Sequence, residues 1–577
     1  MKKIFGYVSI VISLLFISDL RNHNFEKGIV SENEKLVFEI SDSSITAESS
    51  SKKIANSLTK FGDYVSVAIE LEDSFDGMIE EPDYPVSIEE AQEIVKRQRE
   101  MVKAHYTKEN GRLTKELGLG FMEADVEISK YSNFVFLNYR NNSLSDYHVD
   151  QIKTISNNNQ VSKVYVRCNN TKNARRELYA LKSKIFVEPY VIDHPEFNGS
   201  GISVGVLDVG IIDKNHPNFV GTDYLIRDEW WYWETVDEHS TTVGLTIAGN
   251  TGIAPAARLL SVEFFMSYSG PIEWLLDQGA NIINISMCNG STHGVYTSDA
   301  AYLDYIIRNN SVLIVGSAGN RGDSREGGDY KVTSPKTGFN VITVGNTGAF
   351  GDPTLTTSYI TNFSISKPNI SAPAELLYLP GFPGVRFGGT SYAAAMVSGV
   401  SALVMQSDSR YIIRPHILGA LLAATATPSY FETDFDSSGY EKKIGAGIIN
   451  CEFAITNKTN TFCFYNNTNK QGEVVFNHRI YLTGGKRVKV VFYALVNSDK
   501  SKTIKTTDYD LYLKHDNGQI LQLSCSSYNN SELINCIVPY SGYYQVEIVQ
   551  YGSKKTDLRD FCAYSYYQFD PNFSSYS

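Results

Sequence analysis

The sequence predicts an α/β domain, a parallel sheet with helices on both faces, preceded by a small α+β domain and followed by a C-terminal β-sandwich. The chain has 577 residues, about four times the length of a typical domain, so several domains are expected. In the middle of the chain, short apolar runs alternate with helix-like segments, which is typical of a parallel sheet buried on both faces. The last part alternates apolar and polar residues, which is typical of antiparallel strands.

The composition indicates a folded, acidic protein. Hydrophobic residues make up 42% of the chain and charged residues 20%, which supplies a sizeable core and excludes a disordered chain. Lys and Arg total 52 against 64 Asp and Glu, a net charge of −12 with no basic stripe, so no nucleic-acid partner is expected. The only long apolar run is at the N-terminus, which excludes a polytopic membrane protein.

Residues 1–24 have the pattern of a signal peptide or signal anchor. Lys2 and Lys3 precede an apolar run over residues 4–17, which is short for a membrane span and typical of a secretory signal. No clear small-residue cleavage site follows, so an uncleaved anchor stays open, as does a buried N-terminal element. We expect the protein to be exported and either secreted or held at the cell surface. It would contact the membrane only through this segment, and only if the segment is not cleaved.

Residues 25–190 are expected to form a small α+β domain and a linker. Ser87 and Glu90 form a capping box that begins a helix with apolar residues at helical spacing. The order of elements is β-α-β-β-α-β, and a polar stretch over residues 167–178 separates them from the α/β part of the chain. The predicted elements are a strand at 64–71, a helix from 88, strands within 124–139, a helix at 146–155 and a strand at 162–166.

Residues 195–456 carry the α/β pattern, and residues 457–577 the β pattern. The predicted strands of the α/β part are 202–208, 258–265, 281–287, 312–319 and 340–346. In the last part, Asn517-Gly518 lies between two alternating runs and predicts a hairpin. We expect a sandwich of jelly-roll type that buries a core of its own.

Seven cysteines are present, and five of them lie from Cys451 onward. There is no CxxC pair and no Cys/His cluster at zinc spacing, so no structural metal site is expected. In an exported protein, one or two disulfides in the C-terminal part fit this distribution, and the odd count leaves at least one thiol over. The sequence does not fix the pairing.

Four segments of the α/β part each carry a residue suited to acyl transfer. Asp208 ends a predicted buried strand, at the edge where α/β sheets hold their sites. His239 precedes a helix-like run, Asn320 follows a strand among glycines, and Ser391 begins an Ala-rich helix. A serine nucleophile needs a base held in one tautomer, so His239 is the candidate base and Asp208 its orienting partner. The N–H of Ser391 and the amide of Asn320 are candidate oxyanion donors.

The order Asp208, His239, Asn320, Ser391, with its flanking residues, resembles the subtilisin-like serine proteases (subtilases). The resemblance covers about residues 199–455 and includes DKNHPNF after the Asp, KPNISAPA before the Ser, and GAGIINCEFAI at the close. It implies a serine endopeptidase that acts on protein or peptide substrates without a cofactor. The first domain resembles the inhibitory propeptide of that family in its order of elements and its position, which implies a zymogen.

The same resemblance implies where the substrate lies. Ser286, Met287 and Cys288 match the strand that pairs with the peptide. Ser317, Ala318 and Gly319 match the opposite wall of the pocket for the residue before the scissile bond. Cys288 stands where the family has glycine, so the pocket is expected to be narrower.

Two segments depart from the family pattern. Around the histidine the family has H-G-T-H-V-A-G, whereas this chain has HSTTVGL, which places Thr242 at the second histidine. After the nucleophile the family usually has M-A-x-P-H-V-A-G, whereas this chain has YAAAMVSG, which begins with Tyr392. Neither change touches a residue of the triad, and together they indicate a divergent branch.

Each candidate residue also has an alternative interpretation. Asp208 and Ser391 are also consistent with helix-capping residues, and Asn320 with a turn. His216 competes for the role of base but lies in a His-Pro turn soon after Asp208, and His293 lies in a Gly/Ser loop. Carboxylates at Asp323, Glu326 and Asp329 are ligands that calcium prefers, although a solvated loop fits better.

Two alternative functions stay open at this point. One is a catalytically inactive subtilase-fold binding protein, and the other is a surface adhesin that acts through the sandwich. Both predict no reaction with a serine-directed probe, whereas a protease requires one.

Overall fold

A computed structural model describes the fold of this chain. The targeting segment at 1–24, Cys288 and most of the linker lie outside the described residues. The described residues are 36–39, 50, 54–55, 64–72, 75, 86–121, 124–140, 144–169, 187, 194–227, 235–264, 267–287, 293–323, 330–348, 351–360, 365–375, 379, 382, 387–429, 432, 434–468, 471–496, 507–552 and 559–570.

A five-stranded sheet and two helices form the N-terminal domain. Its elements are β1 (Leu36–Glu39), β2 (Tyr64–Leu71), α1 (Ile88–Glu116), β3 (Asp125–Ile128), β4 (Phe134–Arg140), α2 (Asp146–Ser156) and β5 (Val161–Asn169). The strand order is β1-β5-β2-β4-β3. The Ser87 hydroxyl accepts from the Glu90 N–H and the Glu90 carboxylate accepts from the Ser87 N–H, so the predicted capping box is confirmed. The predicted order of elements is also confirmed, and β1 is an additional strand.

A seven-stranded sheet lies at the centre of the molecule. Its elements are β6 (Ser203–Asp208), β7 (Tyr224–Ile226), α3 (Glu238–Ala248), β8 (Arg258–Glu263), α4 (Ser269–Asp277), β9 (Ile282–Ile285), α5 (Ser298–Asn310), β10 (Leu313–Ser317), β11 (Ile342–Thr347), β12 (Ile370–Pro373), α6 (Thr390–Ser407), α7 (Arg410–Ile413), α8 (Ile417–Thr425) and α9 (Cys451–Thr456). The strands are parallel, in the order β12-β11-β10-β9-β6-β8-β7. Every residue of β9 and β10 is buried, so both faces are covered, as predicted.

Two four-stranded antiparallel sheets form the C-terminal part. Their strands are β13 (Thr461–Asn466), β14 (Glu473–Leu482), β15 (Arg487–Ala494), β16 (Tyr509–His515), β17 (Ile520–Cys525), β18 (Ser531–Ile537), β19 (Gly542–Gln550) and β20 (Asp560–Phe569). The sheet orders are β13-β20-β15-β18 and β14-β19-β16-β17. The predicted hairpin is confirmed, since the Gly518 N–H donates to the His515 carbonyl and Gly518 has a φ of 85°. Val490, Leu511 and Tyr544 belong to a core shared by the two sheets.

The N-terminal domain packs on the ends of α4 and α5. Arg99 of α1 is buried, and its guanidinium donates to four carbonyl oxygens that lie at or just after the C-terminal ends of these helices. Those carbonyls belong to Leu276, Ala280, Asn310 and Ser311. Burial lowers the pKa of Arg99 to about 10, so the guanidinium stays charged at neutral pH. Because the last carbonyls of a helix have no partner within it, Arg99 satisfies acceptors that need a donor from outside.

The sandwich packs on the central domain through β15 and β20, which lie against α8. The Tyr493 ring lies on Gly419 of α8, and its hydroxyl donates to the Asn340 carbonyl at 3.1 Å. Lys489 is buried and donates to the carbonyls of Ala426 and Ala446. Val491, Tyr493, Leu495, Leu533 and Phe561 belong to the same apolar cluster as the central sheet. The sandwich therefore has the core of its own that was predicted and a second core that it shares with the α/β part.

No disulfide joins the central domain to the sandwich at Cys451 and Cys463. Both residues are thiols, and the Cys463 sulfur accepts from Arg414 at 2.7 Å. In the stretches that the structure describes, every helix is too short or too polar to cross a membrane.

Candidate active site

The carboxyl end of β6 brings Asp208 against His239. Asp208 is completely buried, and its Oδ1 lies 3.0 Å from Nδ1 of His239. The same oxygen accepts from the Val209 N–H at 2.7 Å. A carboxylate in this position favours the tautomer with a proton on Nδ1, which leaves Nε2 as a base.

His239 lies in the first turn of α3, and Asp237 caps that helix. The Asp237 side chain accepts from the His239 N–H at 2.8 Å and from the Ser240 N–H at 3.4 Å. A side-chain oxygen at this position satisfies N–H groups that have no partner within the helix. The sequence interpretation missed Asp237, although an aspartate directly before a helix-like run is the expected signal for a cap.

Ser391 is the second residue of α6 and lies beside the end of β9. Its hydroxyl donates to the Ser286 carbonyl at 3.0 Å, and the Ser286 hydroxyl donates to the Ser391 carbonyl at 2.9 Å. Gly389 precedes the helix with a φ of 111°, a conformation that favours glycine. A β-carbon at Gly389 would also lie 2.9 Å from Nδ2 of Asn320. Both the backbone conformation and the lack of space therefore favour glycine at this position.

Asn320 lies beside the residue that precedes Ser391. Its Oδ1 accepts from the Thr390 N–H at 2.9 Å and from the Thr390 hydroxyl at 3.0 Å. The Thr390 oxygen in turn accepts from the Gly319 N–H at 3.0 Å. These bonds fix the orientation of the Asn320 amide, in which Oδ1 faces Thr390 and Nδ2 points away from Thr390. Thr390 was not singled out from the sequence.

The predicted pocket residues lie at the ends of two neighbouring strands. Ser286 and Met287 follow β9, whereas Ser317 ends β10 and is followed by Ala318 and Gly319. All five have little exposure or are half-buried, and Gly319 has a φ of 106°. Cys288 lies outside the described residues, so its effect on the pocket stays a prediction.

Thr242 and Tyr392, the two residues that depart from the family pattern, contact each other. The Thr242 and Tyr392 hydroxyl oxygens lie 2.8 Å apart and join α3 to α6. The Tyr392 ring is completely buried, with its centroid 5.8 Å from that of His239. Burial raises the pKa of Tyr392 far above its usual value, so its proton is retained. Thr242 and Tyr392 therefore join the two helices that carry His239 and Ser391.

The two competing histidines make contacts with other residues. His216 caps the short helix Pro217–Phe219 and accepts from the Asn218 N–H, and its ring stacks on Phe382. His293 lies near Lys331, with its Nδ1 3.3 Å from the Lys331 carbonyl. Among the residues described, no three His, Cys, Asp or Glu side chains are grouped as metal ligands.

Comparisons with known proteins find proteases that are similar to part of this chain. Alkaline elastase YaB of a Bacillus species is 30% identical over 283 residues, which is 45% of this chain and 65% of that protein. M-protease of Shouchella clausii is 29% identical over 273 residues, 44% of this chain and 64% of that protein. The chain thus spans slightly less than two thirds of the length of these relatives.

Among solved structures, that of the prenylagaramide maturation protease PagA is 28% identical and covers 46% of this chain and 98% of its own, with a TM-score of 0.37. A sequence model of the subtilase family matches residues 199–447, which include Asp208, His239, Asn320 and Ser391. The central domain of this chain is therefore similar to the proteins of the subtilase family.

Proposed function

We propose that the protein is a serine endopeptidase in which Asp208, His239 and Ser391 form the triad. The observation that carries this proposal is the buried Asp208–His239 hydrogen bond of 3.0 Å, at the sheet edge where α6 presents Ser391. A buried carboxylate that orients an imidazole beside a serine at a helix N-terminus is the arrangement that activates a hydroxyl nucleophile.

The steps follow from these positions. The Ser391 hydroxyl leaves the Ser286 carbonyl and gives its proton to Nε2 of His239 as its oxygen attacks the substrate carbonyl. Asp208 stabilises the resulting imidazolium, and the developing oxyanion accepts from the Ser391 N–H and Nδ2 of Asn320. His239 then protonates the leaving amine. A water molecule, deprotonated by the same imidazole, releases the acyl group, so the chemistry needs no cofactor.

A fluorophosphonate probe tests the proposal directly. We expect covalent labelling of the mature protein at Ser391, because only a serine beside a general base attacks such a phosphorus centre rapidly. Peptide mapping by mass spectrometry identifies the labelled residue. Labelling at another serine, or none on a folded sample, would contradict the triad.

Replacing Asn320 with Ala is expected to lower kcat by about 10²- to 10³-fold with a small change in KM, because one oxyanion donor is lost while the nucleophile stays. The measurement is steady-state hydrolysis of a short peptide. Thr390→Val is a useful comparison, since it removes the hydroxyl that holds the Asn320 oxygen but keeps the amide. An Asn320→Ala enzyme with unchanged kcat would remove Asn320 from the mechanism.

We further propose that the protein is made as a zymogen, exported through the segment at 1–24, and inhibited by its N-terminal domain. This proposal is supported by the buried polar contacts that α1 and the β3–β4 turn make on α4 and α5. Cleavage is expected between residues 167 and 199. N-terminal sequencing of the secreted wild type should find a start in that window, and the Ser391→Ala protein should keep the domain attached.

Glu273 of α4 is expected to make the binding of the cleaved N-terminal domain dependent on pH. Its Oε1 accepts from the Ser129 hydroxyl at 2.6 Å and from the Lys130 N–H at 3.1 Å. Burial, with a smaller contribution from the nearby Glu127 carboxylate, raises the pKa of Glu273 to about 7 from its usual 4.5. The complex therefore binds a proton that the separated domains release between these values, so its stability is complete below about pH 4.5 and is lost as the pH rises to about 7.

We expect the dissociation constant of the cleaved domain to rise by about 100-fold between pH 5 and pH 8. Binding is measured by adding the isolated N-terminal domain to the mature protein, from which its own domain has been removed and in which Ser391 is blocked by the fluorophosphonate probe. Glu273→Gln keeps the acceptor oxygen and removes the charge, so it should bind equally well across this range. A pH dependence that survives in Glu273→Gln would assign the effect to other groups.

A further inference from the structure

The Tyr392 side chain bridges the two helices that carry the proposed nucleophile and base. Tyr392 follows Ser391 directly on α6, and its hydroxyl oxygen lies 2.8 Å from that of Thr242 on α3. Thr242 stands about one turn after His239 on the same helix. Both Tyr392 and Thr242 are completely buried. A residue next to the nucleophile is therefore bonded, away from solvent, to a residue one turn from the base.

The protons of this bridge have one arrangement. The Thr242 hydroxyl lies 2.8 Å from the Glu238 carbonyl and 3.0 Å from the His239 carbonyl, and carbonyl oxygens can only accept. A hydroxyl has a single proton, so Thr242 gives it to these carbonyls and its oxygen accepts from Tyr392. The Tyr392 hydroxyl is therefore the donor, and burial keeps its pKa far above the usual value. Through one hydroxyl, the bridge joins Tyr392 to the backbone of His239.

The Tyr392 ring lies between two other rings. Its centroid is 5.8 Å from that of His239, with the ring planes at 66°, and 5.9 Å from that of Phe387, with the planes at 49°. Aromatic rings at these distances are in contact. Phe387 is completely buried. The Tyr392 ring is thus held against the imidazole by Phe387 and by its own bond to Thr242.

The imidazole is sensitive to such a contact. The hydrogen bond from Nδ1 of His239 to Asp208 fixes the position of one nitrogen. A ring held at one atom can tilt about that atom, and a tilt displaces Nε2, the atom that takes the proton of Ser391. The Tyr392 ring lies against the imidazole and opposes this tilt.

The helices α3 and α6 also approach each other at a second level. A β-carbon added at Gly399 of α6 would lie 3.5 Å from the Ile247 carbonyl of α3, so the two backbones are close there. Gly399 lies eight residues after Ser391, and Ile247 eight residues after His239. Packing sets the separation of the helices at that end, and the bridge between Tyr392 and Thr242 sets it at the end that carries the site.

We propose that Tyr392 and Thr242 are positioning residues, and that their hydrogen bond holds His239 at the distance and tilt at which Nε2 takes the Ser391 proton. This inference rests on the proposed function, because it takes Ser391 as the nucleophile and His239 as the base. The two residues act through His239 and not on the substrate, so their loss should change kcat rather than KM.

Two variants break the bridge while keeping the size of each side chain, namely Tyr392→Phe and Thr242→Val. We expect each to lower kcat on a short peptide by about 10-fold, with KM within about twofold of the wild-type value, because small displacements of reacting groups slow catalysis steeply. The two hydroxyls act as one unit, so the double variant should also lose about 10-fold rather than about 100-fold. Thr242→Ser keeps the hydroxyl and should recover most of the kcat that Thr242→Val loses.

Tyr411→Phe is the matched control. Tyr411 lies on α7 and is as completely buried as Tyr392, so the same atom is removed from an equally buried ring. This variant should keep the wild-type kcat and KM. Thermal unfolding of every variant establishes that the rates compare folded proteins.

The value of kcat separates positioning from a purely structural role. Tyr392→Phe and Thr242→Val proteins that unfold at a lower temperature but keep the wild-type kcat would overturn the inference. A double variant whose loss is the product of the two single losses would also overturn it. Probe labelling at Ser391 with unchanged kcat in these variants would refute the inference alone. A wild-type protein that neither reacts with the probe nor cleaves peptides would refute it together with the proposed function.

Discussion

Replacing Ser391 with Ala is expected to lower peptide hydrolysis by about 10⁶-fold, because no other group can form the acyl-enzyme once the hydroxyl is gone. The fold should be retained. The hydroxyl makes one hydrogen bond, to the Ser286 carbonyl, and the reciprocal bond from the Ser286 hydroxyl goes to the Ser391 backbone, which alanine keeps. The loss of stability should therefore be about 1 kcal/mol.

The measurement is kcat/KM on one short peptide, with thermal unfolding of both proteins as the check on folding. Ser401→Ala is the matched control, because Ser401 is a buried serine of the same helix whose hydroxyl donates to the Val397 carbonyl of that helix. It should keep wild-type turnover. A Ser391→Ala protein with more than a tenth of the wild-type rate would show that the nucleophile lies elsewhere.

The parts of the fold that the sequence predicted are those with strong local signals. The buried strands β6, β9 and β10 are mostly apolar runs, and Asp208 is the last residue of β6. The capping box at Ser87 and the turn at Gly518 need particular side chains or a positive φ, and such requirements are visible in a single sequence.

The elements that were missed have weak local signals. The strands β1, β7 and β12 have only three or four residues, which is too few to show a period. Each is held by its neighbour in the sheet, and a pairing between distant segments leaves no mark on a short stretch. Tertiary context decided these strands, rather than intrinsic preference.

The candidate site shows the same division. Asp208, His239, Asn320 and Ser391 stand in recognisable segments, whereas Thr390 acts through its contact with a distant residue. Thr390 binds Asn320, which is 70 residues away. Nothing in the local sequence of a threonine indicates which amide it will reach.

The helix α8 did carry a signal that the domain division overlooked. Its sequence, ILGALLAAT, is apolar on every side, and every residue except Gly419 is buried. A helix that is apolar on every side must be buried on every side by other parts of the protein. The structure packs β15 and β20 of the sandwich, together with α9 of the central domain, against this helix. The sandwich is thus part of the environment that this helix requires.

Removing the sandwich by ending the chain near Asn457 is therefore expected to abolish the folded central domain. The core of its own that the sequence predicted for the sandwich would instead favour an active truncated protein. The structure changes that expectation, because Val491, Tyr493, Leu495, Leu533 and Phe561 belong to the core of the central domain. At about 1.5–3 kcal/mol for each large apolar side chain, their loss is on the order of 10 kcal/mol, comparable to the whole stability of a domain.

The truncated chain should be recovered as unfolded or aggregated protein, without the cooperative thermal transition of the full chain.

Point variants of the full-length protein test the same interface with smaller expected effects. Tyr493→Ala should lower the free energy of unfolding by about 3–5 kcal/mol, because it opens a cavity over Gly419 and removes the hydrogen bond to the Asn340 carbonyl. Tyr481→Ala changes an exposed tyrosine of the other sheet and should cost about 1 kcal/mol or less. A truncated protein that is folded and has wild-type turnover would contradict this prediction. It would show that α8 does not need the sandwich to pack against, and that the two domains fold independently.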